Sequence, residues 1–375
     1  MKVFLTGGGT GGHFYPLIAV ARALNQVADQ EKIAKMDLVF MAESPYDKNE
    51  LLQNGIRFKK IYSGKIRRYF SFLNIIDVLK LAPGTAKAVF EMYFDFPDVV
   101  FSKGGYESFP VVLAAKILGV PVIIHESDAI PGKANLWAGK FARRVAISFP
   151  KAGEYFPADK TALVGNPVRP EFFTRNEMGA KEFFNLENGI KIVLVMGGSQ
   201  GAKNINDNFI DVLPKALKNY QIIHQCGKNN YEEVKGRTDV IMEDSPLKSR
   251  YHLFASLDFD SMRMAYGAAD LVVSRAGASS VFETAASGLP AIVIPLNSSA
   301  QDHQRENAYA YAKSGAATVI EEKNLKPHIL LSEIERLVSD QRKMKEMGEA
   351  AKSFARADAA EKIAREIIRL GVEHK

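Results

Sequence analysis

Residues 2–24 read KVFLTGGGTGGHFYPLIAVARAL. A short apolar run, Lys2–Thr6, passes straight into glycine and threonine. A helical pattern follows from Pro16 to Leu24, with Leu17, Val20, Ala21 and Leu24 on one face. The order is strand, glycine turn, helix. Glycine lets the backbone turn tightly and approach a ligand. The helix N-terminus adds N–H groups and a partial positive charge, so the junction suits an anion. The spacing Gly7-x-Gly9-x-x-Gly12 also fits the dinucleotide fingerprint. Any glycine-rich turn passes that pattern easily, and a tight turn without a ligand is the plain alternative.

The same order occurs a second time. Residues 191–202, KIVLVMGGSQGA, are a strand and a glycine turn, with a helix expected over Asn204–Leu213. In the first half, apolar runs at Leu38–Ala42, Val99–Phe101, Val122–His125 and Val145–Ser148 alternate with helical patterns. In the second half, Gln221–Gln225, Leu271–Ser274 and Ala291–Pro295 continue the series. Repeated βα units predict an α/β protein with parallel sheets. Two strand–glycine–helix starts predict two Rossmann-like, doubly wound domains facing across a cleft. Turn residues Gly165-Asn166-Pro167 place the boundary, giving domains 1–165 and 166–355, with a terminal helix of about 356–375 crossing back onto the first. Ser332-x-x-Glu335 and Asp358-x-x-Glu361 read as helix starts, the second helix stopping at Gly371.

Composition narrows the class. The 375 residues are 47% hydrophobic and 25% charged, with net charge +6. That mild basic excess favours anionic ligands or an anionic membrane surface and is too small to indicate nucleic acid. The single cysteine, Cys226, excludes an internal disulfide and fits a reducing cytoplasm. A strand beginning at residue 2 leaves no leader before it. No apolar run approaches the ~18 residues of a membrane span; Val111–Ile124 comes nearest, and Lys116 and Pro121 interrupt it.

The densest chemistry lies between 270 and 307. The strand Leu271–Ser274 enters a small-residue loop, Arg275–Ser280, and a helix runs from about Ser280 to Ala286, ending at Gly288. This is a further anion cradle. Glu283, one turn into the helix, suits the two hydroxyls of a ribose; its plain alternative is a carboxylate favoured by the helix dipole. Gln301, Asp302, His303, Gln304 and Asn307 follow the next strand at its carboxyl end. Such amides and carboxylates suit sugar hydroxyls, or simply a solvated loop. Asp258-Phe259-Asp260 matches the DxD pattern of metal-dependent transferases. Asp260 is more simply the N-cap of a helix over Ser261–Ala268. No His/Cys/Glu grouping has zinc spacing, so neither metal nor cofactor is expected.

Taken together, Gly8–His13 (GGTGGH), Ser102–Tyr106 (SKGGY), His125-Glu126, Gly165–Arg169 (GNPVR), Gly197–Ala202 (GGSQGA) and the 275–307 block closely resemble the MurG family. The resemblance runs in order along nearly the whole chain. It implies a GT-B fold and an N-acetylglucosaminyltransferase that converts lipid I to lipid II with UDP-N-acetylglucosamine as donor. With that go peptidoglycan synthesis, cell wall biogenesis, cell shape and cell division. The implied place is the cytoplasmic face of the inner membrane, as a peripheral protein. Thr10, Gly11 and Gly12 would face the donor sugar and acceptor diphosphate. Arg169 and Ser199 would approach the donor, and Phe259 the uracil. Ala278, Ser279, Ser280, Val281, Phe282 and Glu283 would hold the diphosphate and ribose; Gln304 and Asn307 would lie at the sugar. Many members carry Glu-Gln-Asn after the family histidine, with the Asn near the donor sugar. Here the stretch is Glu126-Ser127-Asp128, and an ionised Asp128 accepts but does not donate.

The implied reaction makes a β-linked product from an α-linked donor, which is inversion. A base must take the acceptor's 4-hydroxyl proton, and something must stabilise the departing UDP. An imidazole suits the first task, so His13 is a candidate base; Glu126 is the rival, with His13 then orienting a diphosphate or sugar. The helix N-terminus at Ser280–Glu283, with Arg169, suits the second. A lipid acceptor implies membrane contact. Lys59–Arg68 (KKIYSGKIRR) holds five basic residues, and Ser71–Lys80 (SFLNIIDVLK) is amphipathic at helical spacing. Trp137, Lys140, Arg143 and Arg144 extend that surface; an ordinary packed helix is the alternative. Competing readings are another GT-B enzyme, such as a glycolipid synthase or a UDP-sugar epimerase, a dehydrogenase using Glu43, and a non-enzymatic nucleotide-binding module.

Overall fold

The computed structural model describes residues 1–33, 35–63, 72–198, 201–297 and 302–374, with the backbone alone over 72–80. Its strands are β1 (Lys2–Thr6), β2 (Asp37–Ala42), β3 (Arg57–Lys60), β4 (Val99–Ser102), β5 (Val122–Glu126), β6 (Arg144–Ile147) and β7 (Thr161–Leu163). They continue as β8 (Lys191–Met196), β9 (Tyr220–Gln225), β10 (Tyr251–Phe254), β11 (Leu271–Ser274), β12 (Ala291–Val293) and β13 (Ala317–Val319). One sheet runs β3-β2-β1-β4-β5-β6-β7 and the other β10-β9-β8-β11-β12-β13. The pairings are parallel, as at β1 with β2 and β4, and at β8 with β9 and β11.

The central strands are buried on both faces, which is why they read as unbroken apolar runs. Val3, Phe4 and Leu5 of β1, and Ile192 to Val195 of β8, are closed to solvent. Helices cover each sheet on both sides, the GT-B arrangement. Strand order runs outward in two directions from β1 and again from β8. The chain therefore leaves β1 and β4, and likewise β8 and β11, toward opposite faces. At such a reversal the loops after the strands part and leave a crevice at the carboxyl ends. Both glycine turns sit there.

Contacts group Met1–Arg169 with Ala357–Lys375 in one unit, and Pro170–Arg356 in the other. The chain leaves the first unit beyond the expected Gly165, because Gly165, Asn166 and Arg169 are each anchored in it by bonds described below. The C-terminal helix Ala359–Glu373 packs on helix Gly11–Gln30, burying Ile363, Ala364, Ile367 and Ile368. Full burial of each isoleucine is worth roughly 1.5–3 kcal/mol. Arg365 adds bonds to Glu31 and Gln30.

Several local expectations change. The first helix begins at Gly11, not near Pro16, so Gly11, Gly12 and His13 form its first turn. Gly371 lies inside the last helix rather than ending it, packed closely against Met1 and Val99. Ser332 and Glu335 fall within helix Pro327–Ser339, which starts with its proline. Strands β3, β7, β10 and β13 were not expected. They are short and lie at or near sheet margins, where fewer residues need be apolar.

Candidate functional site

The first crevice is built from three strand ends, those of β1, β4 and β5. Beyond β1, Gly7 takes φ +148, and a Cβ there would meet Lys103 Cβ at 2.8 Å. Thr10 is the extended N-cap residue of helix Gly11–Gln30, and its carbonyl accepts the N–H groups of His13 and Phe14. Its Oγ1 lies 3.1 Å from His13 Nδ1. Gly105, after β4, comes against the opposite edge of the imidazole: a Cβ there would stand 3.7 Å from Cε1 and Nε2 of His13, and its φ is +83. Burial holds the His13 pKa down to about 4; the positive charge of Lys103 adds to this and Asp128 opposes it. The ring is therefore neutral near pH 7.

Lys103 follows β4 and is 1% exposed. Its amine meets His125 Nδ1 at 2.6 Å, Asn166 Oδ1 at 3.1 Å and the Ser127 hydroxyl. Burial lowers its pKa to about 7, against the pull of Glu126 and Asp128. The tautomer of His125 follows from its partners. Nε2 lies 2.9 Å from the Gly165 carbonyl, which only accepts, so Nε2 carries the proton and Nδ1 accepts from Lys103.

Glu126 closes β5 and is buried. Oε1 accepts the N–H of Asp128 at 2.9 Å; Oε2 accepts the N–H of Gly132 at 3.0 Å and Asn135 Nδ2 at 2.9 Å. These bonds fold the 127–135 loop around the carboxylate. Burial pushes its pKa up to about 7, and the neighbouring charge of Asp128 adds to the rise. Asp128 is half-buried, close enough for its charge to act on His13, Lys103 and Glu126.

Arg169 makes contacts of a different kind. Its guanidinium lies over the Tyr15 ring at 4.2 Å, and Nη1 is 3.6 Å from Glu50 Oε1. Its charge therefore faces Glu50 and an aromatic face.

The second crevice lies beyond β8 and β11. Ser199 falls outside the described residues, as does Gln301. Helix Ala278–Ala286 starts two residues earlier than the small-residue pattern suggests, with Gly277 as N-cap. Ser279 and Ser280 are half-buried at its start. Val281 and Phe282 point into the core, Phe282 stacking on Phe354 at 5.1 Å, so at these positions only main-chain groups can serve a ligand. Glu283 is half-buried one turn further on.

Asn307 is fully buried and donates to the Ala276 carbonyl at 3.1 Å, supporting the 275–277 loop from beneath. Arg275 secures the same loop through Glu322 and the Ile294 carbonyl. Gln304 Oε1 accepts the Leu296 N–H at 3.1 Å. Phe259 opens helix Phe259–Ala268, edge-on to Phe172. The N-cap of that helix is Asp258, which accepts from the Ser261 N–H at 2.9 Å, and Asp260 stands exposed in the first turn. Among the described residues no group of His, Cys, Asp and Glu is placed to hold a metal ion.

The sequence reading gave Lys103 and Asn166 no chemical task beyond their place in the SKGGY and GNPVR motifs, and Asn135 none. The one available signal was a charged residue directly after an apolar strand at the sheet centre, an environment that buries a lysine only with partners.

Residues 3–147 match the glycosyltransferase family 28 N-terminal domain, and residues 192–363 the glycosyltransferase family 28 C-terminal domain. A UDP-N-acetylglucosamine–N-acetylmuramyl-(pentapeptide) pyrophosphoryl-undecaprenol N-acetylglucosamine transferase of Halothermothrix orenii is 36% identical over 362 residues, 95% of each chain. Its namesake of Treponema denticola is 34% identical over 365 residues, covering 94% of this chain and 93% of that one. The crystal structure of Acinetobacter baumannii MurG superposes with a TM-score of 0.72 at 28% identity, over 98% of this chain and 99% of that one. An S. aureus MnaA–UDP co-structure also reaches 0.72, at 16% identity over 100% of this chain and 98% of that one, which is a likeness of fold alone.

Proposed function

The chain belongs to glycosyltransferase family 28, among the transferases that move N-acetylglucosamine from its UDP donor to undecaprenyl-pyrophosphoryl-N-acetylmuramyl-pentapeptide, and we propose that it makes this transfer with His13 as the general base. The observation that carries the assignment is the neutral imidazole of His13 in the β1–β4 crevice, with Thr10 on Nδ1 and Nε2 turned to Gly105. With Nδ1–H donated to Thr10, Nε2 is an open base. It takes the proton of the acceptor 4-hydroxyl as that oxygen bonds to the anomeric carbon from the face opposite UDP. The bond from that carbon to the β-phosphate oxygen breaks, and the electron pair leaves with UDP. One such displacement inverts the α-linked donor to a β-linked product.

Glu126 is the weaker base candidate, because both its oxygens already accept donors of its own loop. Its part is to shape the 127–135 loop beside His13. On the donor side, the first turn of Ala278–Ala286 takes the UDP diphosphate on main-chain N–H groups, Glu283 the ribose and Gln304 the sugar. The leaving-group charge falls to this helix start, while Arg169 lies over Tyr15 and beside Glu50.

An undecaprenyl acceptor places the enzyme at the membrane, and we assign the contact to the first unit, peripheral on the cytoplasmic face. Among the described residues no helix is long and apolar enough to cross a bilayer. Helices Phe72–Asp95 and Phe109–Leu118 instead border an apolar groove of about 870 Å³ lined by residues including Val89, Phe90, Tyr93, Phe109 and Ile117. Phe90, Tyr93 and Ile117 are exposed there, with exposed Phe94 packed against Phe90 at the groove's edge, and an apolar patch of this kind suits lipid. Of the basic run, Lys59 is neutralised by Glu91 and Asp95, and residues 64–68 lie outside the described residues. The amphipathic 71–80 segment falls on residues whose side chains are not described.

The direct test is transfer of labelled N-acetylglucosamine from its UDP donor to a short-chain lipid I analogue, with EDTA present. Wild type is expected to transfer. His13→Ala is expected to lose roughly 10²–10⁴-fold in kcat with UDP binding retained, and Glu283→Ala to lose donor affinity. A folded, UDP-binding wild type that transfers nothing would refute the substrate assignment.

A further inference from the structure

Among the described residues, Lys103 is the one charged side chain of the largest fully buried ones, and the chemistry above does not use it. Its amine has three N–H groups and three acceptors: His125 at the end of β5, Ser127 in the following loop, and Asn166 from the turn after β7. All three acceptors are neutral. A buried ammonium held only by neutral acceptors needs nearby negative charge to offset its desolvation. Glu126 and Asp128 lie on the segment that Lys103 grips, and their charges favour its protonated form. The chain therefore has a carboxylate and a buried amine on the same side of the crevice.

We propose that Lys103 is a positioning residue of the transfer: anchored on His125, Ser127 and Asn166, its ammonium offsets the carboxylate of Asp128 and fixes the 126–128 segment against the turn that carries His13. The proposal rests on the transferase reading and adds to it a residue that acts from beneath the site. The charged groups facing His13 are Lys103, beyond β4, and Asp128, beyond β5. The titratable groups facing Lys103 are His13, His125, Glu126 and Asp128. Removing the ammonium leaves Asp128 unopposed, so His13 is protonated more easily; removing the carboxylate acts in the opposite sense.

The experiment is a charge cycle on the full-length protein: wild type, Lys103→Met, Asp128→Asn and the double variant. The imidazole of His13 is titrated by NMR, and KM for a lipid I analogue is measured beside kcat. Lys103→Met is expected to raise the His13 midpoint by about one pH unit, the size of one buried charge. It should also raise acceptor KM roughly tenfold, by loosening a positioned segment. Asp128→Asn is expected to lower the midpoint, and the double variant to return it toward wild type. A His13 midpoint and an acceptor KM both unmoved in Lys103→Met would overturn the proposal. Should that variant not fold, Ser127→Ala removes one anchor and keeps the charge; acceptor KM should rise several-fold with the midpoint in place, and an unchanged KM refutes the role. The titration needs no activity, so an inactive wild type with the expected midpoint shifts would refute the substrate reading while leaving the charge pair standing.

Discussion

The Thr10 hydroxyl and the His13 imidazole meet at 3.1 Å, Oγ1 to Nδ1, across the first turn of the helix that they open together. Thr10 gives that helix no side-chain cap, so its hydroxyl orients the ring instead. Thr10→Val keeps the shape and removes the bond. It is expected to cost about 1 kcal/mol, or roughly fivefold in kcat, with Thr10→Ser near wild type. Equal rates in the two variants would mean that the hydroxyl does not set the tautomer.

The pH profile follows from the same ring. A His13 pKa held at about 4 keeps the base unprotonated well below the 6.5 of an exposed histidine. The acid limb of kcat/KM is therefore expected near pH 4 to 5. A limb at 6.5 would show a solvated His13.

Folding stability carries a related signature. His13 and His224 are held down to about 4 and about 3 by burial, and His125 is lowered well below its ordinary value. For each, the unfolded chain binds the proton more readily, so the stabilisation is present above pH 6.5 and is lost as pH falls toward the folded value. Thermal midpoints measured at a series of pH values should decline below 6.5. Glu126, raised to about 7, runs oppositely and offsets part of the loss.

Glu126→Gln separates a loop anchor from a base. The new NH2 group must face an N–H donor of Gly132, Asn135 or Asp128, where an oxygen now accepts. An unsatisfied buried group costs about 1–3 kcal/mol, and a lowered melting temperature is the expected result. A large fall in kcat at unchanged melting temperature would restore Glu126 as the base.

At the other crevice, Asn307→Ala leaves the buried Ala276 carbonyl without this donor and frees the 275–277 loop. UDP affinity measured by calorimetry should fall roughly tenfold, as expected when a buried acceptor loses its partner. Unchanged affinity would mean that the loop stands without it.

Phe90→Asp with Phe94→Asp tests the groove. Co-sedimentation with anionic liposomes should drop severalfold, while transfer to a soluble short-chain acceptor stays near wild type. Charge reversal at Lys65, Arg67 and Arg68 should weaken the same binding in a salt-dependent way. Retained binding in both sets would move the contact elsewhere.

Local patterning alone announced the two sheets and the strands β1 and β8 with their glycine turns, while the family and its reaction came from the resemblance of six motifs in order. Buried central strands must be apolar throughout and tight turns must be glycine, so both constraints are written into neighbouring residues. Edge strands such as β3 and β7 carry no such constraint and left no mark. The partners of His13, Lys103 and Glu126 come from residues far apart in the chain, brought to one place by the strand order β1-β4-β5. Whether a histidine is neutral, a lysine closed to solvent or a carboxylate already satisfied depends on desolvation and on donors such as Asn135 and Asn166. Those are properties of packing, so the tertiary structure alone decided them, while the alternation of strand, glycine and helix was already complete in the sequence.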